Sequence, residues 1–165
     1  MFFWIRRRKL PIKIKPIGEY DPDAKGKLVV AVHPYYQSHP ENSYLQGLNA
    51  LIASQNGPLI TLEESDKLSS TMKRYRELGR KKGAYFIETN PAELSFDDVA
   101  EFIRYFRKTP VTLIGGYYSI DTVCSELLLP RLMNGCMGKT VYELARRGID
   151  VEIPLELTFS WKVEY

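Results

Sequence analysis

Short apolar runs alternate with helix-like amphipathic stretches along most of the chain. Runs rich in β-branched and aromatic residues predict strands. They cover residues 27–32, 59–62, 84–87 and 111–114. Stretches whose apolar residues recur three or four positions apart predict helices. These are residues 41–54, 66–82, 95–108, 122–133 and 140–147, and a loop is predicted at residues 134–138.

Both ends of the chain alternate apolar and polar residues, which is typical of strands with one wet face. Residues 151–165 alternate throughout and predict one long strand. Near the start of the chain, Pro11 and Pro16 place the alternating segment at a sheet edge, because proline cannot donate to a ladder. Its lysines complement Glu152 and Glu156, so we expect the two segments to pair, either within one chain or between two.

Strands that alternate with helices predict an α/β fold built around a mostly parallel sheet. We expect a three-layer, Rossmann-like single domain over residues 1–165, with helices on both faces of a five-stranded sheet. Right-handed crossovers favour the strand order 3-2-1-4-5, in which the strand at 27–32 is the first. The segment at residues 1–17 adds an extra N-terminal strand at one edge.

The composition is ordinary for a globular protein, and it excludes several classes. The chain has 165 residues, 44% apolar and 26% charged, with a formal net charge of +3. No stretch approaches the roughly 20 apolar residues of a membrane span. In the opening segment the basic residues follow the apolar ones, which is the reverse of their order in a signal peptide. Two cysteines and two histidines do not suggest a disulfide framework or a structural zinc site. We therefore expect a cytoplasmic protein with reduced thiols and no cofactor, metal or membrane partner.

The candidate site lies where two predicted loops meet. In the order 3-2-1-4-5 the chain changes direction between strands 27–32 and 111–114, and ligands bind such sheets at the carboxyl ends flanking that switch. The first loop offers tyrosines and titratable side chains, namely His33, Tyr35, Tyr36 and His39. The second loop follows a glycine pair, and its candidates are Gly115, Gly116, Tyr117, Tyr118, Ser119, Asp121 and Cys124. No other part of the chain gathers as many reactive side chains.

A catalytic version of this site has Cys124 as its nucleophile, because a helix N-terminus favours the thiolate form. His33 is the general base, Asp121 is a titratable neighbour, and the amides of residues 116–119 form the anion site. Each assignment has a structural alternative. Cys124 is then a small buried residue, Asp121 a helix cap, His33 a hydrogen-bonded strand end, and the glycine pair a packing contact.

Two further residues carry expectations of their own. Pro34 restricts His33 to extended geometry and stops the strand, because a proline disfavours helical conformations in the residue before it. Cys136 falls in the predicted 134–138 loop, where no neighbour in the sequence suggests a partner. We therefore expect Cys136 to be an incidental surface residue.

The stretch from Val111 to Cys124, a strand ending in glycine and followed by a cysteine at a helix start, resembles the isochorismatase-like cysteine hydrolases. The resemblance implies a parallel α/β sheet and a hydrolase with Cys124 as its nucleophile. In that family an aspartate after the first strand and a lysine after the third complete the triad. Here the first position is nearest to His33, and the third strand runs into residues 88–90 (Glu-Thr-Asn), without a lysine.

Three functions are compatible with these patterns. The first is a small-molecule enzyme or ligand-binding domain that uses the loops at 33–39 and 115–124. The second is an interaction protein, a dimer that assembles through its alternating terminal strands. The third is a nucleic-acid-binding protein that uses the basic residues of 6–9 and 73–82.

Overall fold

Seven strands form one sheet in a computed structural model of the chain, which describes residues 14–18, 24–35, 42–89, 94–119 and 135–161. The strands are β1 (Ile14–Ile17), β2 (Val29–Val32), β3 (Leu59–Glu63), β4 (Ala84–Glu88), β5 (Val111–Ser119), β6 (Val151–Glu152) and β7 (Thr158–Trp161). They lie in the order β1-β4-β3-β2-β5-β6, and β7 also pairs with β5. Only β1 runs antiparallel to its neighbour. The prediction of an α/β fold with a mostly parallel sheet is confirmed.

Helices pack on both faces of this sheet. In the described part of the chain they are α1 (Asn42–Ser54), α2 (Leu68–Glu77), α3 (Phe96–Tyr105) and α4 (Gly135–Ala145). The Ser95 hydroxyl accepts a hydrogen bond from the Asp98 amide at 3.4 Å, which caps the N-terminus of α3. None of these helices is long and apolar enough to span a membrane. The helix predicted at 122–133 lies outside the described residues.

Alternate residues of the central strands build two separate cores. In β2, Val30 and Val32 join the core shared with α3 and α4, whereas Val29 and Ala31 join the core shared with α1 and α2. A strand directs successive side chains to opposite faces, so a run that is apolar throughout is buried on both sides. All four β2 residues are at most 2% exposed.

The prediction of one long terminal strand over residues 151–165 is wrong. The structure has two short strands instead, β6 and β7, separated by a single 3-10 turn at Leu155–Leu157. Pro154 stands just before that turn, and proline lacks the N–H that a continuous ladder requires. The interruption leaves Leu155 exposed, although strict alternation assigned it to the buried face.

The N-terminal segment does form an edge strand, but its pairing within the chain differs from the prediction. Strand β1 pairs with β4, at the opposite side of the sheet from β6. The Glu152 carboxylate binds Lys27 instead, with 2.8 Å between the Lys27 Nζ and the Glu152 Oε1 atoms.

Two segments that the sequence predicts to be loops form regular secondary structure instead. The predicted glycine turn at 115–116 lies inside β5, where the pairing with β7 shifts register between Gly115 and Tyr118. Such a bulge lets a strand bend and continue. Residues 135–138 of the predicted loop begin helix α4, and the buried Met137 anchors this turn to the core. Both differences affect the site.

Candidate functional site

The carboxyl ends of β2, β3 and β5 meet at one edge of the sheet, which we call the carboxyl edge. Strand β2 pairs in parallel with β5, so that Val32 lies opposite Gly115, and on its other side β2 pairs with β3. His33 follows β2 directly, and Glu63 is the last residue of β3. Parallel pairing therefore brings two titratable side chains from distant parts of the sequence to the same edge.

His33 has an unusual backbone for a residue before a proline. Its φ angle is +42°, in the left-handed region, so the prediction of extended geometry is wrong. The His33 amide donates a hydrogen bond to the Leu62 carbonyl at 2.9 Å, which continues the contact between β2 and β3 through the turn. Strained conformations of this kind persist only where surrounding contacts hold them, and they are frequent at functional sites.

Glu63 is a buried carboxylate with three hydrogen-bonding partners. It is only 1% exposed. Its Oε1 atom lies 3.3 Å from the His33 Nδ1 atom and accepts a bond from the Glu64 amide at 3.0 Å. Its Oε2 atom accepts a bond from the Thr71 hydroxyl of α2 at 2.9 Å. These contacts satisfy the carboxylate and fix the side of the imidazole that faces it.

The second partner of His33 is Cys136. Its thiol raises the pKa of the His33 imidazole, although the two residues come from the end of β2 and the first turn of α4. The prediction that Cys136 lies in a surface loop is therefore wrong, because Cys136 is a half-buried free thiol within a helix. The imidazole thus links Glu63, held by α2 on one face of the sheet, to Cys136 at the start of α4 on the other.

These contacts decide the charge on His33. The side chain is 6% exposed. Burial alone lowers its pKa, but the hydrogen bonds and charges of Cys136 and Glu63 outweigh this effect and raise the pKa from 6.5 to about 9. His33 is therefore an imidazolium at neutral pH.

The glycine pair of β5 makes this arrangement sterically feasible. Gly115 has φ +87°, and a Cβ atom there would lie 2.5 Å from the Val32 carbonyl oxygen. A Cβ atom on Gly116 would lie 3.0 Å from the Met137 Cβ atom and 3.2 Å from its backbone nitrogen. Gly116 thus lets the first turn of α4, with Cys136, approach the end of the sheet. The packing interpretation of both glycines is found in the structure, and their contact with a ligand stays a prediction.

Tyr35 is engaged within the chain. Its hydroxyl donates to the Asn49 Oδ1 atom at 2.9 Å, and the Arg74 guanidinium carbon lies 4.0 Å from the centre of its ring. Burial raises the pKa of Tyr35 to about 12, although the Arg74 charge opposes the shift. The hydroxyl is therefore neutral at physiological pH, and a ligand-binding role for Tyr35 stays a prediction.

Several predicted site residues are known only by their place in a strand or lie outside the described residues. Tyr117, Tyr118 and Ser119 belong to β5, so they are strand residues and not loop residues. The other four candidates, Tyr36, His39, Asp121 and Cys124, lie outside the described residues. Of the predicted catalytic residues, only His33 lies among the residues that the structure describes.

Glu63, Thr71 and Cys136 are the residues that the sequence interpretation missed. One signal was available for Glu63: it follows a buried apolar strand, and β3 neighbours β2 in the predicted order. A signal for Cys136 was its position before the buried Met137, which favours a helix over a loop.

The site is built from a thiol, an imidazole and a carboxylate. No group of three or more His, Cys, Asp or Glu residues suited to a metal ion occurs in the part of the chain that the structure describes. The arrangement is that of a nucleophile, a proton carrier and an orienting group. No protein-family model, curated protein or solved structure matches this chain.

Proposed function

We propose that this chain is a cysteine hydrolase of small acyl compounds, with Cys136 as the nucleophile, His33 as the acid and base, and Glu63 as the orienting residue. One observation carries the proposal: the Cys136 thiol and the buried Glu63 carboxylate both act on the His33 ring, and the carboxylate lies 3.3 Å from its Nδ1 atom. A nucleophile bonded to a base that is in turn oriented by a third group is the general pattern of nucleophilic catalysis.

The reaction starts from the ion pair of a Cys136 thiolate and the His33 imidazolium. The sulfur attacks the carbonyl carbon of an ester, thioester or amide, and a carbon–sulfur bond forms. The substrate oxygen becomes an oxyanion, which the amides in the first turn of α4 stabilise by hydrogen bonding. The bond to the leaving group then breaks, and the leaving group takes the proton of the imidazolium. A thioester on Cys136 and a neutral His33 remain.

The second half of the reaction returns the protein to its starting state. Neutral His33 accepts a proton from a water molecule, and the resulting hydroxide equivalent attacks the thioester carbon. The carbon–sulfur bond breaks, the carboxylic acid leaves, and the thiolate faces the imidazolium again. Glu63 does not change its protonation state in this sequence, because its task is to hold the Nδ1 side of the ring and to stabilise the imidazolium.

Because the mechanism needs a reduced thiol, the proposal includes a reducing, cytoplasmic setting. It also keeps hydrolase chemistry, as the resemblance to the isochorismatase-like enzymes implies, while it assigns the nucleophile to another cysteine. Cys124, which carries that resemblance, is the direct rival of Cys136 for this role.

A chromogenic ester tests the proposal without knowledge of the natural substrate. We expect p-nitrophenyl acetate to release a burst of nitrophenolate and to leave an acetyl group on the protein. Trypsin cleaves at Arg131 and so separates the two cysteines, which lets mass spectrometry locate the acetyl group. We expect it on the peptide of Cys136, and we expect Cys136→Ala to abolish both burst and adduct.

Two variants separate mechanism from simple thiol reactivity. His33→Asn keeps a side chain that tolerates a positive φ angle, and Glu63→Gln keeps the shape of the carboxylate. We expect each to slow acylation, with the larger loss in His33→Asn. An acetyl group on Cys124, or an acylation rate of Cys136 that neither variant changes, would overturn the assignment.

A further inference from the structure

A concave basic surface lies at the other end of the sheet, where β2, β3 and β4 begin. It encloses about 360 Å³ between the end of α1, residues 24–25 and the turn at 79–83. Its charged lining residues are all cations, namely Lys25, Arg80, Lys81 and Lys82. We call this feature the basic cavity. None of the described lining residues is a carboxylate.

Arg80 forms the buried part of this cavity. It is 7% exposed, and its hydrogen bonds go to neutral oxygens only. The guanidinium donates to the backbone carbonyls of Gln55, Gly57, Lys82 and Gly83 and to the Gln55 side-chain oxygen. Burial lowers its pKa, yet an arginine keeps its charge in proteins. Arg80 is therefore a buried cation surrounded by dipoles, without a counter-charge from the described residues.

The three lysines at the rim of the cavity are solvent-exposed. None of them forms an ion pair with a described residue, whereas Lys27, nearby in sequence, binds Glu152. Like charges that converge on a concave surface raise its electrostatic potential, and this favours the entry of an anion.

The backbone that carries these lysines is held in place. A Cβ atom on Gly18 would lie 2.4 Å from the Lys81 carbonyl oxygen and 2.6 Å from the Lys82 Cα atom, so β1 ends in close contact with the turn. From the other side, Arg80 ties the same turn to Gly57 at the start of β3. A turn held on two sides positions its charges before a ligand arrives, which lowers the entropic cost of binding.

We propose that the basic cavity binds a small molecule that carries a phosphate or diphosphate group. Lysines are common phosphate ligands, and the enclosed volume falls in the range of small-molecule sites, roughly 300 to 1,000 Å³. The concave shape favours a small ligand over a nucleic-acid duplex, which binds extended basic surfaces. This site is separate from the Cys136 centre, and it does not depend on the hydrolase proposal.

Calorimetric titration with inorganic phosphate and pyrophosphate tests this proposal on the full chain. The informative variant is Lys81→Gln/Lys82→Gln, and its matched control is Arg76→Gln/Lys139→Gln. Both variants remove two exposed cations, but the control residues lie outside the cavity. We expect the cavity variant to bind pyrophosphate about tenfold more weakly, and the control to differ by no more than about twofold. Circular dichroism checks that both variants fold.

Three results would overturn the proposal. The first is the absence of pyrophosphate and phosphate binding by the wild type. The second is an equal loss in both variants, which indicates net charge and not a site. The third is salt-sensitive binding of single- or double-stranded nucleic acid that both variants weaken equally, without any binding of pyrophosphate. That last result would instead support a diffuse nucleic-acid surface.

Discussion

The two ends of the sheet use their charged residues in opposite ways. At the carboxyl edge, Glu63 and Cys136 both act on His33, and the histidine and the glutamate are almost fully buried. At the amino end, Arg80 is buried among carbonyl oxygens, and the lysines around it face solvent. One end thus has an internally satisfied set of reactive groups. Among the described residues that line the basic cavity, the other end has cations and no carboxylate.

The contrast follows from the direction of the strands and helices. Because β2 and β3 are parallel, the side chains that follow both strands meet at the same edge. Helix α4 begins there too, and the N-terminus of a helix favours an anion such as a thiolate. The amino end receives the C-terminus of α2 and its basic last turn. The carboxyl edge thus brings reactive side chains together, whereas the lysines of the amino end have no carboxylate partner among the described residues.

The largest expected effect is a steric one, and it distinguishes the carboxyl edge of the sheet from the amino end. Gly115→Ala at the carboxyl edge adds a Cβ atom 2.5 Å from the Val32 carbonyl oxygen, whereas Gly79→Ala, at φ +94°, adds one with no atom within 4 Å. Both changes strain a positive φ angle, at about 1 to 2 kcal/mol. Gly115→Ala adds overpacking, so we expect it to lose about 4 kcal/mol in total. Urea unfolding measures both, and equal losses would refute the tight contact between β5 and β2.

The second prediction concerns pH and stability. The pKa of His33 is raised from 6.5 to about 9, so its charge stabilises the folded state fully below pH 6.5, and this contribution is lost as pH rises through 9. The shift corresponds to about 3 kcal/mol at most. We expect the stability difference between the wild type and His33→Asn to shrink from pH 6 to pH 10. A constant difference across that range would show that folding does not raise the pKa of His33.

The amino end has the opposite pH dependence. Its Glu152 carboxylate accepts hydrogen bonds from Lys27 and Thr112, which lower the pKa of Glu152. The contribution of Glu152 is therefore present above its ordinary pKa of 4.5 and is lost as pH falls through the lowered value. Glu152→Gln should change stability at neutral pH only slightly, because the pair is exposed. A difference that grows below pH 4 would contradict this sign.

The last comparison concerns two threonines that each donate to a carboxylate. Thr71 donates to the buried Glu63 at 2.9 Å, and Thr112 donates to the more exposed Glu152 at 2.6 Å. We expect Thr71→Val to cost about 2 kcal/mol, because a buried oxygen loses its partner. Water replaces the hydroxyl beside Glu152, so Thr112→Val should cost no more than about 0.5 kcal/mol. The reverse order in urea unfolding would show that Glu63 is hydrated.

The fold was the part most open to prediction from the sequence, because apolar runs such as residues 27–32 can be satisfied only by burial on both faces. The prediction of one long terminal strand was wrong for a local reason. It followed the alternation of apolar and polar residues and gave no weight to Pro154, although the missing N–H of a single proline is enough to end a ladder.

The site was less predictable, because its members come together through packing and not through spacing. His33 was identified from its place after a strand. Its partnership with Cys136 depends on how closely α4 packs on Gly116, and no periodicity in the sequence encodes that distance. The bulge in β5 was also hidden from the sequence, because a glycine pair inside a strand cannot be distinguished from a glycine turn by composition alone.

The central claim is that His33 activates Cys136, and the rate of alkylation by iodoacetamide at neutral pH measures this directly. Tryptic peptides report Cys136 and Cys124 separately in the same molecule. We predict that His33→Asn slows alkylation of Cys136 about tenfold or more, because the imidazolium that favours the thiolate is lost, while the rate at Cys124 stays constant. An unchanged rate at Cys136, or a loss confined to Cys124, would contradict the account.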